Sequence, residues 1–350
     1  MSRLIITGTS MVSPIGIRRE DVWRNIETGK TGLGRLSRFP FDKEVLCGEI
    51  RDFDLSDYIS DGRFRRAATI SQYALASIAM ALDEASATGS SVNTAMVMGI
   101  THGALGYTQS FHRELIREGP EAVSPIHFSD SVLNAPAGNA SICFGFNGPV
   151  HTVLGGPETI IKSIMTACRM VYSGQVDRAV VASAEELNEL SLYCYTRLGY
   201  PAISEGAGAI VIERERSDTK KSKCCLVAGA ASECNPSDPD AALSSSVSLC
   251  MNRAGVQVSE IDLVMTCMND PRDCILKGVP TAGLSPFTGY AFATSMIWTI
   301  AFSVMAIRNG SAPQTVIRSG KISRTRVKNV IVCTDDRQGN AAALLLRNDD

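Results

Sequence analysis

The apolar residues of this chain fall into two alternating patterns. Short runs rich in β-branched residues are typical of buried strands, and longer segments with helical spacing are typical of helices that cover a sheet. The pattern predicts strands at residues 4–8, 94–99, 178–183, 205–213, 225–231, 263–267, 328–334 and 341–346, and helices at residues 72–87, 103–118, 131–144, 241–254 and 293–308. This alternation indicates an α/β fold.

The pattern occurs twice along the chain. In the first half, Gly155-Gly156 precedes a helix of small residues that ends at Ser173-Gly174. In the second half, Thr288-Gly289 precedes a similar helix that ends at Asn309-Gly310. A charged segment at residues 214–223 separates the two. We therefore expect a duplicated α/β unit, with halves at residues 1–215 and 224–350 packed closely as one unit.

Residues 148–165 have the pattern of a buried strand, a sharp turn and a helix. The two glycines permit a tight turn, and Pro157 suits the first position of a helix. Several enzyme folds place a nucleophile at such an elbow, because the helix N-terminus stabilises a thiolate or an oxyanion. Here the tip is Gly-Gly-Pro, without Ser, Cys or Thr. The segment is therefore either a catalytic elbow without its chemistry or an ordinary strand–helix unit.

Composition and charge exclude several classes of function. The 350 residues are 45% hydrophobic, which is typical of a globular protein with one large or two fused units. The net charge of −2 gives no support to nucleic-acid binding. Basic clusters at residues 63–66 and 318–328 indicate solvated loops or, alternatively, a docking patch for an acidic partner. Ser and Thr interrupt the apolar helix near residues 291–307, so we expect a core helix and no membrane span.

The eleven cysteines contain no CxxC pair, and several lie in apolar runs. We therefore expect buried free thiols in a reducing, cytoplasmic compartment, with neither a disulfide framework nor a zinc site. The apolar run near the N-terminus is too short for a signal peptide. No pattern in the sequence points to a metal ion or an organic cofactor.

Four segments, taken in order, resemble the β-ketoacyl-acyl-carrier-protein synthases, the condensing enzymes of the thiolase superfamily. They are Ile-Ile-Thr-Gly-Thr-Ser-Met-Val-Ser-Pro-Ile-Gly at residues 5–16, Ser-Val-Leu-Asn-Ala-Pro-Ala-Gly-Asn-Ala-Ser-Ile-Cys-Phe-Gly-Phe-Asn-Gly-Pro at residues 131–149, Ser-Glu-Gly-Ala-Gly at residues 204–208, and Thr-Gly-Tyr at residues 288–290 with the helix that follows. The resemblance covers nearly the whole chain, which is shorter than usual mainly between Leu198 and Ser204. It implies a thiolase-like, duplicated α-β-α layered fold.

In that family a Cys at the elbow takes the acyl chain, and two His with a Lys support decarboxylation and the developing enolate. The matching positions here are Pro157 for the Cys, Cys267 for the first His, Ser285 for the Lys and Tyr290 for the second His. The four histidines are His102, His112, His127 and His151, so the C-terminal half contains none. His151, before the elbow, is interpreted as structural. The resemblance thus implies no catalytic residue, and we expect no activity from the chain alone.

One subgroup of the family has this pattern: the chain-length factors of type II polyketide and polyene systems. The resemblance implies that this chain forms a heterodimer with an active ketosynthase, meets acyl carrier protein through that complex, and shapes the acyl tunnel. The interface would include the strand residues Val150, His151, Thr152, Val153 and Leu154, and the tunnel end would include Tyr107, Ser110, Phe111 and Glu114. A role in aryl polyene biosynthesis is an analogy at family level.

Alternative interpretations stay open. Cys267 could be the relocated nucleophile of a condensing or acyl-transfer enzyme, although a thiol without a His base is weak. The chain could also be a decarboxylase or a purely stabilising scaffold for another thiolase-fold enzyme. The four residues assigned to the tunnel could equally be ordinary packing residues, and an unpaired Glu114 beside an apolar tunnel would be costly.

Overall fold

The structure is a computed structural model, and it describes residues 3–89, 92–200, 202–215, 225–267, 276–322 and 326–348. Within these ranges the strands are β1 (Leu4–Val12), β2 (Gly34–Arg35), β3 (Leu46–Gly48), β4 (Thr94–Ile100), β5 (Val150–Leu154), β6 (Arg178–Glu185), β7 (Ile203–Ser204), β8 (Gly206–Arg214), β9 (Cys225–Cys234), β10 (Leu263–Thr266), β11 (Thr281–Ala282), β12 (Ile317–Ser319), β13 (Asn329–Asp335) and β14 (Asn340–Arg347).

The helices are α1 (Arg19–Glu27), α2 (Thr69–Glu84), α3 (Leu105–Glu118), α4 (Pro125–Ser131), α5 (Ala135–Phe144), α6 (Glu158–Ser173), α7 (Glu189–Arg197), α8 (Pro239–Ala254), α9 (Ser285–Thr288) and α10 (Phe292–Asn309). The helix predicted at residues 131–144 was wrong at its start. Pro136 has no amide hydrogen and fits only the first turn, so α5 begins at Ala135.

Eleven strands form one sheet in the order β12-β11-β10-β13-β14-β9-β1-β8-β6-β4-β5. The order β1-β8-β6-β4-β5 in the first half repeats as β9-β14-β13-β10-β11 in the second, with the same parallel and antiparallel pairings. The halves join where β1 pairs antiparallel with β9, through Ile5 with Leu226 and Ile6 with Cys225. The fold is therefore the duplicated α/β fold that we predicted. The predicted boundary near residues 214–224 lies almost wholly outside the described residues.

Three layers of helices cover the strands. The central helices α6 and α10 share one large core with β1, β6, β8, β13 and β14. Helices α2 and α5 bury a second core against the first half, and α8 buries a third against the second half. Such layering explains why parallel strands such as β4 and β10 are apolar on both faces.

Helix α10 is buried along all of its residues from Phe292 to Ile307, which accounts for its apolar sequence. It is the core helix that we expected, and no helix in the described part of the chain is long and apolar enough to cross a membrane. Strand β1 is longer than predicted, because it continues through Gly8. A side chain at Gly8 would overlap the carbonyl oxygen of Ala81, so the glycine lets α2 pack closely on β1.

Candidate functional site

The elbow lies between β5 and α6, at the carboxyl end of the parallel part of the sheet. Gly155 and Gly156 make the turn, and a side chain at Gly156 would come within 2.7 Å of Glu158 Oε2. Pro157 is buried and precedes the first residue of α6, where no side chain caps the helix. The elbow geometry is therefore present, and its tip carries a residue without a nucleophilic atom.

The other three positions that we predicted to replace catalytic residues lie around the same end of the fold. Cys267 follows β10, is 2% exposed, and has its Sγ 3.4 Å from Thr334 Oγ1. Ser285 begins α9, and its Oγ accepts a hydrogen bond of 2.5 Å from Arg318 Nη2. Tyr290 stands between α9 and α10, and its ring stacks on that of Tyr200 at 5.2 Å.

Electrostatic coupling shows that these groups share one neighbourhood. Burial raises the pKa of the Tyr290 hydroxyl well above its usual value, and the charges of Cys267 and Glu158 raise it further. Burial also raises the pKa of the Cys267 thiol to about 12, which the hydrogen bond to Thr334 and the charge of Arg318 only partly oppose. At neutral pH the Cys267 thiol is therefore protonated.

A carboxylate occupies the helix N-terminus at the elbow. Glu158 is 3% exposed, and its Oε1 lies 3.5 Å from Lys162 Nζ. Its Oε2 has no hydrogen-bond partner among the described residues. A negative charge is favourable at this end of α6, but it takes the place where the helix would otherwise stabilise an oxyanion. Glu158 therefore weakens the positive potential that the N-terminus of α6 would offer an anion.

The Ser-Glu-Gly-Ala-Gly segment contributes a buried ion pair. Glu205 is fully buried, and Arg38 binds both of its oxygens, with 2.6 Å between Nη1 and Oε2. The backbone amides of Ile50 and Leu187 donate to the same carboxylate at 2.9 and 3.2 Å. This saturated carboxylate anchors three segments of the chain beside the elbow, and its role is structural.

A second set of polar side chains was not found from the sequence. His102 Nδ1 lies 3.0 Å from Glu185 Oε2, and His102 Nε2 lies 2.7 Å from the Tyr195 hydroxyl. Thr101 links this set to the elbow, because its Oγ1 donates to Gly155 O at 2.8 Å and accepts from Ala293 N at 3.2 Å. Two signals were available in the sequence: His102 shortly after one predicted strand, and the acidic turn at Glu185 after another. The sequence alone did not show that these two residues are in contact.

The residues assigned to the tunnel lie on α3, where no residue is buried. The Tyr107 hydroxyl donates to Arg66 O at 2.7 Å, and the Phe111 ring lies 5.7 Å from that of Phe128 on α4. Ser110 is partly exposed. Glu114 accepts from Ser124 N at 3.0 Å, and its Oε1 lies 2.7 Å from His127 Nδ1. Glu114 is thus paired and partly exposed, so it does not carry the desolvation cost of an isolated charge. The tunnel assignment stays a prediction.

The strand assigned to the interface is an edge of the sheet. β5 pairs with β4 on one side and with no described strand on the other. Val150, His151 and Leu154 are exposed, and Thr152 and Val153 are half-buried. Helices α3, α4 and α5 contact one another in turn, and α5 contacts β5. These helices, the segment between α4 and α5, and β5 carry exposed apolar side chains, and we call this surface the outer face: Ile116, Phe128, Val132, Leu133, Ile142, Val150 and Leu154.

We searched the described residues for metal-binding clusters and for disulfides. No group of three or more His, Cys, Asp or Glu side chains among them could hold a metal ion. Each cysteine in the described ranges is a free thiol, and five of them are buried.

Comparison with known proteins defines the class. The fold is that of the thiolase-like ketosynthases, and the model of the β-ketoacyl synthase N-terminal domain matches residues 1–202. The chain therefore belongs to the β-ketoacyl synthase family. A relative, 3-oxoacyl-[acyl-carrier-protein] synthase 2 of Vibrio harveyi, is 30% identical over 189 residues, 53% of this chain and 46% of the relative. The protein of the same description from Coxiella burnetii is 24% identical over 368 residues, 90% of this chain and 88% of the relative.

The chain spans about half the length of the first curated relatives that it matches, 46% for the two Vibrio proteins. Among solved structures, the ishigamide ketosynthase/chain length factor has a TM-score of 0.88 at 19% identity, with 100% of both chains covered. The ketosynthase ApeO in complex with its chain length factor ApeC from Xenorhabdus doucetiae has a TM-score of 0.75 at 14% identity, covering 99% of this chain and 98% of that one. These similarities establish the fold.

Proposed function

We propose that this chain is a non-catalytic subunit of the chain-length-factor type. It pairs with an active β-ketoacyl-acyl-carrier-protein synthase and shapes the acyl or polyene tunnel in type II polyketide or fatty-acid-like biosynthesis. The observation that carries the proposal is the elbow, where a complete strand–turn–helix geometry presents Pro157. Proline has no side-chain atom that could form a thioester.

The surroundings of the elbow support an absence of condensation chemistry. The Glu158 carboxylate sits where an oxyanion would need positive potential. The Tyr290 hydroxyl stays protonated at neutral pH because of its raised pKa, so it is no base. A condensing enzyme must stabilise an enolate and activate a nucleophile, and the groups described above at Pro157, Glu158 and Tyr290 support neither requirement.

The main alternative is a relocated nucleophile at Cys267. Its burial and its raised pKa both oppose nucleophilic attack, because the reactive form is the thiolate, and the hydrogen bond to Thr334 only partly offsets them. Acylation of the isolated chain by acyl carrier protein, lost on Cys267→Ala, would favour this alternative. We expect no acylation of the wild-type chain or of the Cys267→Ala variant.

The unpaired edge strand supports a protein partner. An exposed edge invites pairing with another chain, and the exposed side chains of Val150, Leu154 and Ile142 supply apolar area beside it. Two of the structural neighbours described above are a ketosynthase/chain length factor and a complex of the two subunits. The proposed partner is therefore an active ketosynthase, and acyl carrier protein would act through the complex.

The tunnel function is tested on α3. Phe111→Ala removes a ring that packs against Phe128, so a partner-bound tunnel end at this helix would gain space for further methylenes. In the complex, we expect longer or altered products. Gln109→Ala on the same helix, which lies in a cleft with Arg113, is the matched control and leaves the products unchanged. Unchanged products from both variants would favour the purely stabilising scaffold.

Co-purification with an active ketosynthase tests the pairing. The two chains, expressed together, are expected to elute as a one-to-one complex, and condensation is expected from the complex. A monomer with no affinity for any ketosynthase would contradict the proposal.

A further inference from the structure

A small separate core lies at the same end of the fold as the elbow. Its buried members come from β3, from the loop between β6 and α7, from α7, from β7 and from the first turn of α10: Cys47, Leu187, Leu192, Ile203 and Phe292. The rings of Tyr195, Tyr200 and Tyr290 pack against it. These segments are distant in sequence, and they meet only at this end of the sheet.

The aromatic side chains of this core form a closed set of contacts. Tyr195 lies 5.3 Å from Tyr200 and 4.4 Å from Phe292, measured between ring centroids. Tyr290 lies 5.2 Å from Tyr200 and 5.1 Å from Phe292. His102 completes the set, with its ring centroid 4.4 Å from that of Phe292 in an edge-to-face arrangement. We call these five rings the aromatic plug.

Hydrogen bonds place the plug at the elbow. Thr101, next to His102, donates to the carbonyl of Gly155, and it accepts from the amide of Ala293, next to Phe292. Tyr290 is fixed by its backbone, because its amide donates to Ala202 O at 2.9 Å and its carbonyl accepts from Ser204 N at 3.0 Å. The plug is therefore attached both to the turn of the elbow and to β7.

A polar latch holds the plug closed. Glu185 is 1% exposed and orients His102, and His102 in turn contacts the Tyr195 hydroxyl at 2.7 Å. Phe292 has a φ of 50°, a left-handed conformation that is unfavourable for an aromatic residue. Such a conformation persists only where the surroundings impose it, and the latch and the neighbouring rings do so here.

We propose that the aromatic plug, held by the Glu185–His102–Tyr195 latch, closes this subunit's own elbow to a phosphopantetheine-bound acyl thioester. This deepens the proposed function and rests on it: the acyl thioester stays on the partner because this subunit excludes it, in addition to lacking a nucleophile. His102 and Tyr195 are then positioning residues. A nucleophile restored at the elbow would not by itself restore acylation.

The test introduces a thiol at the elbow of the full chain by Pro157→Cys and measures its alkylation by iodoacetamide, resolved by peptide mass spectrometry. Exposed Cys234 is the reference in the same sample. We expect the introduced thiol to react at least about 100-fold more slowly than Cys234, at about pH 7 and again at about pH 9, where an accessible thiol is largely ionised. A rate equal to that of Cys234 would overturn the proposal.

Two further variants open the plug by different means. Phe292→Ala in the Pro157→Cys background is expected to raise the alkylation rate about tenfold or more, whereas Phe144→Ala, from a stacked pair in another core, leaves it unchanged. Tyr195→Phe removes only the hydroxyl of the latch and is expected to raise the rate a few-fold, with Tyr193→Phe on the same helix as control. Thermal unfolding identifies variants that fail to fold. An unchanged slow rate in folded Phe292→Ala and Tyr195→Phe proteins would also overturn the proposal.

The result is separable from the proposed function. Rapid alkylation in a chain that still pairs with a ketosynthase and stays inert would reject the plug alone. A shielded thiol in a chain that condenses malonyl thioesters by itself would reject the proposed function, and the plug's role with it.

Discussion

The elbow and the outer face differ in how far their side chains are buried. At the elbow, Pro157 and Cys267 are buried, and the nearby charge of Glu205 is saturated by four hydrogen-bond donors on three residues. On the outer face, apolar residues such as Ile142 and Leu154 are 63% and 52% exposed, and no residue of α3 is fully buried. The first region is packed within one chain, and the second exposes apolar side chains beside an edge strand.

Under the proposed function, the tightly packed elbow acts as a scaffold, and the exposed apolar surface beside the unpaired strand is where another protein binds. The variants below test this contrast, beginning with the largest expected effect.

Arg38→Ala tests the completeness of the elbow region. The change leaves the Glu205 carboxylate buried without its guanidinium partner, so the free energy of unfolding should fall by about 3 kcal/mol. Arg35→Ala is the matched control, because the Arg35–Glu44 pair is exposed and should contribute about 0.5 kcal/mol or less. Denaturant unfolding measures both. Equal small losses would show that the region around Glu205 is not the tightly packed unit described here.

Leu154→Glu tests the incompleteness of the outer face. A charge at this edge position would be desolvated on pairing, so affinity for the ketosynthase should fall about 100-fold while the isolated chain keeps its stability. Val258→Glu places the same charge on another exposed apolar residue, in the second half, and should leave the affinity unchanged. Titration calorimetry distinguishes the two. Unimpaired binding by the Leu154 variant would move the interface elsewhere.

Glu186→Gln tests the junction of the two regions, where Glu186 Oε1 accepts from the amide of Gly106 at the start of α3. Desolvation raises the pKa of this carboxyl to about 7, and the charges of Glu205 and Glu185 add to the effect. The folded-state pKa exceeds the unfolded one, so the stabilisation from the bound proton is complete below about pH 4.5 and is lost as the pH rises through 7.

Across that pH window the free energy of unfolding of the wild-type chain should therefore fall by about 1 to 2 kcal/mol more than that of the Gln variant. This range allows for the partial exposure of Glu186. Only the pH dependence is compared, so the constant effect of the amide cancels. Glu189→Gln, on the exposed first turn of α7, is the control. If the stability of the wild type and of Glu186→Gln changed with pH in the same way, Glu186 would not contribute to the junction by its titration.

Glu114→Ala is expected to have the smallest effect. It removes partly exposed contacts with His127 and Ser124 that join α3 to α4, so the free energy of unfolding should fall by about 0.5 to 1 kcal/mol. Glu118→Ala, at the exposed end of the same helix, should change it by less. A loss of several kcal/mol for Glu114→Ala would make α3 a core element and weaken the contrast with the elbow.

The fold could be predicted from the sequence because its strands and helices have strong local periods, and because the two halves repeat one order. The short strands β2, β3, β7, β11 and β12 were missed, since two or three residues carry no period of their own. Their position depends on neighbouring strands, for example on the pairing of Thr281 with Val264.

The site could be predicted only in part. The four degenerate positions were assigned through the resemblance to the family, and that assignment stays a prediction. The latch was not predicted, because His102 and Tyr195 are 93 positions apart and only the packing of α7 near β4 brings them together. The left-handed conformation of Phe292 also has no local signal, since neighbouring rings impose it.

The most direct test of the central claim is a condensation assay on the homogeneous full-length chain with malonyl-acyl carrier protein and an acyl-primed carrier protein. The account predicts no product and no decarboxylation from this chain alone, and condensation when an active ketosynthase is added. Sustained carbon–carbon bond formation by this chain alone would contradict the account.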